Sequence, residues 1–222
     1  MDRKITALKA QKRDRNRISV FLDGEFAFGL SRIVAAWLQV GQTLNDEKII
    51  ELKDQDARES AYQQALRWIE TRDRSIAEIQ RNLQQRGISE EIISEVMARL
   101  QRSSLIDDSR FARLWVENRN EFRPRGRRAL TYELRGKGID QSAVEDVLAD
   151  FDDGAAAYDA AHRYARKIQQ LPWLEFKRKL FGHLARRGFN YETAKEAIAR
   201  VWAELKEEDS AVNTTLDEEV DL

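Results

Sequence analysis

Cysteine is absent from the 222 residues, which excludes disulfides, thiolate metal sites, iron–sulfur clusters and cysteine nucleophiles. Proline occurs only at positions 124 and 172 and glycine ten times, which favours long helices over a turn-rich β fold. No run approaches the roughly 18 apolar residues of a membrane span, and the opening residues lack the apolar core of a secretory signal. The expectation is a soluble cytoplasmic protein with no membrane partner. Histidine is scarce. His162 and His183 fall on different predicted helices at no spacing that suggests a shared metal, so surface or packing roles are expected. Phosphate-loop, dinucleotide-loop and zinc-protease motifs are missing, and Ser103-Ser104 has no local histidine partner. No catalytic residue, cofactor or metal is therefore expected, and the chain does not read as an enzyme.

What is present is charge and helical periodicity. Charged residues make up 35% and hydrophobic residues 42%, enough for a core under a strongly ionic surface. Residues 1–17 are basic and are expected to form a flexible leader. Ile18–Leu22 and Glu25–Leu30 then flank Asp23-Gly24, the signature of a two-residue hairpin whose turn positions both need positive φ. Two strands alone are marginal, so the hairpin needs a helix to lie on. Ser31 is placed to cap a helix running to about Gln39 and stopped by Gly41. A second short helix, from about Asn45 to Leu52, leads into an acidic connector with Asp54, Asp56 and Glu59. The hairpin and short helices make up residues 18–56.

From there the pattern is helical, and one turn is written three times. Leu83-Gln-Gln-Arg86-Gly87-Ile88-Ser89 is matched by Leu134-Arg-Gly-Lys137-Gly138-Ile139-Asp140 and by Leu184-Ala-Arg-Arg187-Gly188-Phe189-Asn190. Glycine just past a helix end takes the left-handed conformation, the leucine and the apolar residue after glycine touch, and Ser, Asp or Asn caps the next helix. Ile79, Leu130 and Leu180 precede each leucine by one helical turn. Residues 57–106, 107–151 and 154–205 thus read as three tandem three-helix modules, which predicts an elongated, curved, all-α body behind the small hairpin. Asp107-Asp108 and Asp152-Asp153 fall between modules, where capping is the simpler reading and metal binding the alternative. The five tryptophans are spread along the chain as packing would spread them, with base stacking as the sharper alternative.

The net charge of −1 hides an uneven distribution. Residues 110–138 sum to +6, with Arg123, Arg125, Arg127, Arg128, Arg135 and Lys137 as the densest cations, and residues 163–187 to +7, including Lys177, Arg178, Lys179, Arg186 and Arg187. The last twenty residues sum to −7; subtracting that from −1 leaves +6 on residues 1–202. Residues 206–222 are expected to be a disordered acidic tail that either competes with nucleic acid or aids solubility. Arg123-Pro-Arg-Gly-Arg-Arg128 sits at a helix start, where basic charge opposes the helix dipole. That local cost points to phosphates or an acidic protein surface, with a solvated flexible loop as the alternative.

Phe21–Phe28, Ala61–Leu66 with Arg74-Ser75 and Glu78, Leu105-Ile106-Asp107-Asp108-Ser109-Arg110-Phe111-Ala112, Gly126–Leu134 and Lys137-Gly138-Ile139 together resemble the RecX regulatory proteins, bacterial modulators of the RecA recombinase. The resemblance covers about residues 17–205 and is weakest in the third module, where Phe189 replaces the usual aliphatic residue. It implies three tandem three-helix modules, no catalysis, and binding in the groove of the RecA–single-stranded DNA filament; the chain is expected to be a monomer. The resemblance also implies inhibition of strand exchange and co-protease activity, and binding to single- and double-stranded DNA. On the residues alone two other readings stay open: a sequence-specific helix-turn-helix DNA binder, since each glycine turn joins two helices, and a purely protein-binding scaffold.

Overall fold

The computed structural model describes the backbone of residues 2–220 and the side chains of residues 2–207. Contacts divide the chain into two compact units, Met1–Asp107 and Asp108–Leu222.

In the first unit, strands β1 (Arg3–Ala10), β2 (Arg17–Leu22), β3 (Glu25–Ser31) and β4 (Thr43–Leu44) form an antiparallel sheet in the order β3-β2-β1-β4. The Asp23-Gly24 turn is as expected: φ is 50° and 93°, and Leu22 faces Glu25 across it. The leader expected to be flexible over 1–17 instead supplies β1. Its sequence shows little alternation because the strand is specified by pairing on both edges. Lys4 also clasps the hairpin turn, its amide donating to Asp23 Oδ1 at 3.0 Å and its carbonyl accepting from Asp23 N at 2.9 Å. Helix α1 is shorter than expected, Arg32–Ala35, although Ser31 Oγ does cap it by accepting from Val34 N.

The largest correction is α2, which runs unbroken from Asp46 to Thr71 through the stretch read as an acidic connector. Asp56 and Glu59, at 9% and 7% exposure, are buried on this helix and not solvated. Asp56 accepts from Ser31 N and from Arg17 Nη2 at 2.8 Å, and Glu59 pairs with Arg99 at 2.8 Å. Those partners lie 39 and 40 residues away, so no local pattern reveals them. One end of α2 carries the sheet, burying Ile5, Val20, Leu22, Leu30, Leu44 and Leu52 together. The other end packs with α3 (Ile76–Gln85) and α4 (Glu90–Arg102) around Ala65, Ile79, Leu83, Ile93, Val96 and Leu100 to form the first module.

The second unit holds the other two modules. Helices α5 (Asp108–Phe122), α6 (Arg127–Gly136) and α7 (Gln141–Leu148) enclose Phe111, Ala112, Leu130, Leu134, Val144 and Leu148. Helices α8 (Asp153–Ala165), α9 (Trp173–Arg186) and α10 (Tyr191–Val220) enclose the third core. There the repeat positions of Ile93 and Val96 are only Ala194 and Ala197, and α8 is lined with buried alanines. Phe176 fills the space, with Trp202 packed over it at 4.8 Å between ring centroids. The backbone of α10 continues to Val220 through the stretch read as a disordered tail, which contains no glycine or proline to stop it. The tail's side chains from 208 onward lie outside the described residues.

The repeated turn is observed in all three copies. Gly87, Gly138 and Gly188 have φ of 74°, 82° and 87°. Ile88, Ile139 and Phe189 each donate a backbone N–H to the carbonyl of Leu83, Leu134 and Leu184, five residues back. Capping is less regular than the pattern implies: Asn190 Oδ1 accepts from Thr193 N at 2.8 Å, whereas Ser89 and Asp140 hold the cap position without a side-chain bond. Among the described residues, no helix is long and apolar enough to cross a membrane.

Candidate nucleic-acid interface

The arginine-rich loop between α5 and α6 is an ordered splice between the second and third modules. Its centre is a contact of two glycines. A Cβ on Gly126 would lie 2.5 Å from Gly188 O, and one on Gly188 would lie 2.5 Å from Ala129 Cβ. Gly126 N donates to Arg187 O at 2.9 Å, and Arg187 Nη1 returns a bond to Pro124 O at 3.0 Å. Arg163 Nη1 donates to Glu121 O at 2.8 Å. Arg127 bonds the end of the second module with both terminal guanidinium nitrogens, Nη1 to Leu148 O and Nη2, at 2.9 Å, to Phe151 O.

The acidic pair Asp152-Asp153, between the second and third modules, behaves as two caps. Asp152 Oδ1 accepts from Ala155 N at the start of α8. Asp153 Oδ1 accepts from Arg127 N at 2.8 Å, so the third module supplies the carboxylate that the glycine N-cap of α6 lacks. That carboxylate offsets the cost of opening a helix with Arg127 and Arg128. Among the described residues, no group of three His, Asp or Glu is arranged to hold a metal.

These bonds gather cations from both basic stretches. Arg187 lies half-buried with Arg125, Arg123 and Arg163 around it; burial first, then those three charges, pushes its guanidinium below the usual arginine range. His183, one helical turn before Arg187, stacks on Tyr164 at 4.1 Å between ring centroids. Burial, then Arg187, Arg186 and Lys167, push its imidazole down to about 4, so the ring is neutral at pH 7. Six cations, Arg123, Arg125, Arg163, Lys167, Arg186 and Arg187, thus share one neighbourhood. Glu133 Oε1 lies 3.5 Å from the buried Arg125 Nε, a nitrogen that makes no hydrogen bond among the described residues. Bonds to the carbonyls of Pro124 and Glu121 orient Arg187 and Arg163 but do not neutralise them. A mutually repelling set of cations held in place by backbone acceptors is a ready anion site.

The structure therefore unites Arg123 and Arg125 of the first predicted patch with Arg186 and Arg187 of the second. It adds Arg163 and Lys167, whose only sequence signal is their share of the +7 on residues 163–187. Lys179 extends the cluster, sharing a row of α9 with His183 and Arg187. Arg127 serves the inter-module joint. Arg128 and Arg135 are exposed on α6, and Arg178 is exposed on α9. Lys137 lies 5.0 Å above the ring of Trp115, beside Arg119 at 4.4 Å, and Lys177 lies 5.7 Å above Trp173. Four tryptophans are at least partly packed. Trp37, 88% exposed, is the exception to the packing expectation.

Four family models match in order along the chain. Residues 3–45 match the regulatory protein RecX N-terminal domain, and 61–100, 107–148 and 152–198 match the first, second and third three-helix domains of RecX. A regulatory protein RecX from Bacillus licheniformis is 31% identical over 199 residues, covering 87% of this chain and 76% of that relative. One from Mycobacterium sp. (strain JLS) is 38% identical over 148 residues, 63% of this chain and 80% of that protein. A crystal structure of a regulatory protein RecX superposes with a TM-score of 0.66 at 26% identity, covering 87% of this chain and 97% of the other. The structure of RecX from Lactobacillus salivarius shares the fold with a TM-score of 0.59, covering 66% and 97%.

Proposed function

Because the chain belongs to the RecX family of regulatory proteins, we propose that it binds the groove of a RecA–single-stranded DNA filament and inhibits its recombinase and co-protease activities. The observation that carries this reading is the cation cluster at the joint of the second and third modules. Arg123, Arg125, Arg163, Lys167, Arg186 and Arg187 hold the phosphodiester backbone, and Arg128, Arg135, Lys137, Lys177, Arg178 and Lys179 flank it. Such contacts are salt-dependent and indifferent to base sequence, so isolated DNA, single- or double-stranded, is bound without preference. Blocking the groove reduces filament activity without any chemistry by this chain.

The helix-turn-helix alternative requires the helix after each glycine turn to enter the major groove. Those helices carry carboxylates within their first two turns: Glu90, Glu91 and Glu95 on α4, Glu192 and Glu196 on α10, and Glu145 and Asp146 on α7, whose first turn has none. A phosphate-lined groove repels them, which favours backbone binding over base reading.

The test is RecA ATPase and strand exchange on single-stranded DNA with this protein titrated in. Both activities fall as the protein approaches stoichiometry with RecA; unchanged activity at a molar excess refutes the proposal.

A further inference from the structure

A second feature lies wholly in the first unit and plays no part in the cation cluster. A cavity of about 720 Å³ opens between α1 with the adjoining strand ends and the faces of α2 and α3. That volume is in the range of sites for small ligands or for a few residues of peptide. Ala61, Leu83 and Ile88 make its floor, and Ile33, 60% exposed, stands at its mouth. Trp37 follows Ile33 by one helical turn on the same short segment and is the most exposed large hydrophobic side chain described.

The charges around the cavity do not cancel. Arg17 is paired with Asp56 and Glu59 with Arg99. Among the described residues, Arg32, Arg67 and Arg86 have no carboxylate partner. Arg67 donates to the Gln64 amide at 2.9 Å, Arg86 lies 5.4 Å over the Trp68 ring, and the Arg32 side chain makes neither a hydrogen bond nor an ion pair with any described residue. Against these three guanidiniums the lining offers one further carboxylate, Asp14, which is engaged by Asn16 N at 2.9 Å. The described lining includes no aromatic side chain, so a nucleobase finds no stacking surface here.

We infer that this cavity docks an acidic peptide segment of a partner protein, with one aliphatic side chain against Ile88 on the floor and carboxylates on Arg32, Arg67 and Arg86. Guanidinium forks match carboxylates in pairs, and the apolar floor selects a side chain between them. The carbonyl groups, amides and hydroxyl of the lining, from Ser60, Gln63 and Gln64, suit the backbone of such a segment.

The experiment uses the full chain and a fluorescein-labelled 12-residue peptide of glutamates and aspartates with a central leucine, read by fluorescence anisotropy. Leucine-to-serine replacement in the peptide should weaken binding roughly tenfold, as should R67E/R86E, whose positions are exposed and leave the core intact. Ala36→Trp, which fills the cavity with its charges unchanged, should also abolish binding. Circular dichroism on each variant confirms that the fold persists. No binding of the peptide, equal binding of the serine peptide, or unchanged binding by A36W overturns the inference. So does displacement by oligothymidylate, which would assign the cavity to nucleic acid. Because no RecA is present, failure here is distinguishable from failure of the filament reading.

Discussion

Replacing Gly188 with alanine tests the joint on which the cation cluster depends, and Gly87 provides an internal control. Both glycines end a module's second helix with positive φ, 87° and 74°. Both variants force a Cβ into the left-handed region, at about 1–2 kcal/mol. Their surroundings differ. A Cβ on Gly87 meets nothing within 4 Å, whereas one on Gly188 falls 2.5 Å from Ala129 Cβ and 2.7 Å from Ala129 N. The second contact involves backbone, so α6 itself has to move away from the turn, and overpacking of that kind costs about 1–3 kcal/mol more. G87A is therefore expected to lose about 1–2 kcal/mol and G188A about 2–5 kcal/mol.

The same displacement has a functional consequence. Moving α6 away from Gly188 breaks the Gly126 N–Arg187 O bond and carries Arg123 and Arg125 away from Arg163 and Arg187. G188A should weaken DNA binding and flatten its salt dependence even at temperatures where the protein remains folded; G87A should leave both unchanged. Urea titrations followed by circular dichroism give the stability difference, and anisotropy with labelled oligothymidylate over a salt series gives the binding slope. Equal destabilisation of the two variants, within about 0.5 kcal/mol, would show that Gly188 does not abut Ala129 and would remove the basis for the joint.

Two further outcomes are specific to the cluster. R163E/K167E, at positions outside the initially predicted patches, should reduce affinity for single-stranded DNA as much as R123E/R125E does. Each lost phosphate contact should lower the slope of log K against log salt by about 0.7 in anisotropy measurements. His183 should titrate near 4 in the free protein against 6.5 in the unfolded chain. The unfolded state therefore binds the extra proton between those values, and the histidine's share of stability, full above pH 6.5, is lost as pH falls towards 4. Bound phosphates offset the cationic neighbours that depress it, so DNA should raise the value. NMR titration of the imidazole with and without oligothymidylate reads both, and an imidazole that titrates near 6.5 without DNA would refute the burial and crowding assigned to it.

The repeat was legible because it is built from local chemistry. Leucine, glycine, the apolar residue after it and the capping residue lie within seven positions, and each responds to the backbone of its own turn. The Asp23-Gly24 hairpin was legible for the same reason. The continuity of α2 was not, because Asp54, Asp56 and Glu59 look like a solvated connector until Arg17 and Arg99 arrive from 39 and 40 residues away. Strand β1 escaped notice because its neighbours hold it by main-chain pairing, leaving little alternation in the side chains.

Counting charge located the basic region but did not indicate which cations act together, because that depends on contacts spanning 42 residues from Arg163 to Glu121 and 63 from Arg187 to Pro124. Had they ended on carboxylates, those contacts would consume the arginines that make them. They do not, because the acceptors are carbonyls and not carboxylates: a guanidinium bonded to a peptide oxygen is fixed in position while its charge remains uncompensated. Arg187 shows the result, since it stitches the joint together and is still opposed by Arg123, Arg125 and Arg163. Structural and electrostatic roles therefore coincide in one residue, and the strain of gathering like charges is stored where an anionic backbone can relieve it.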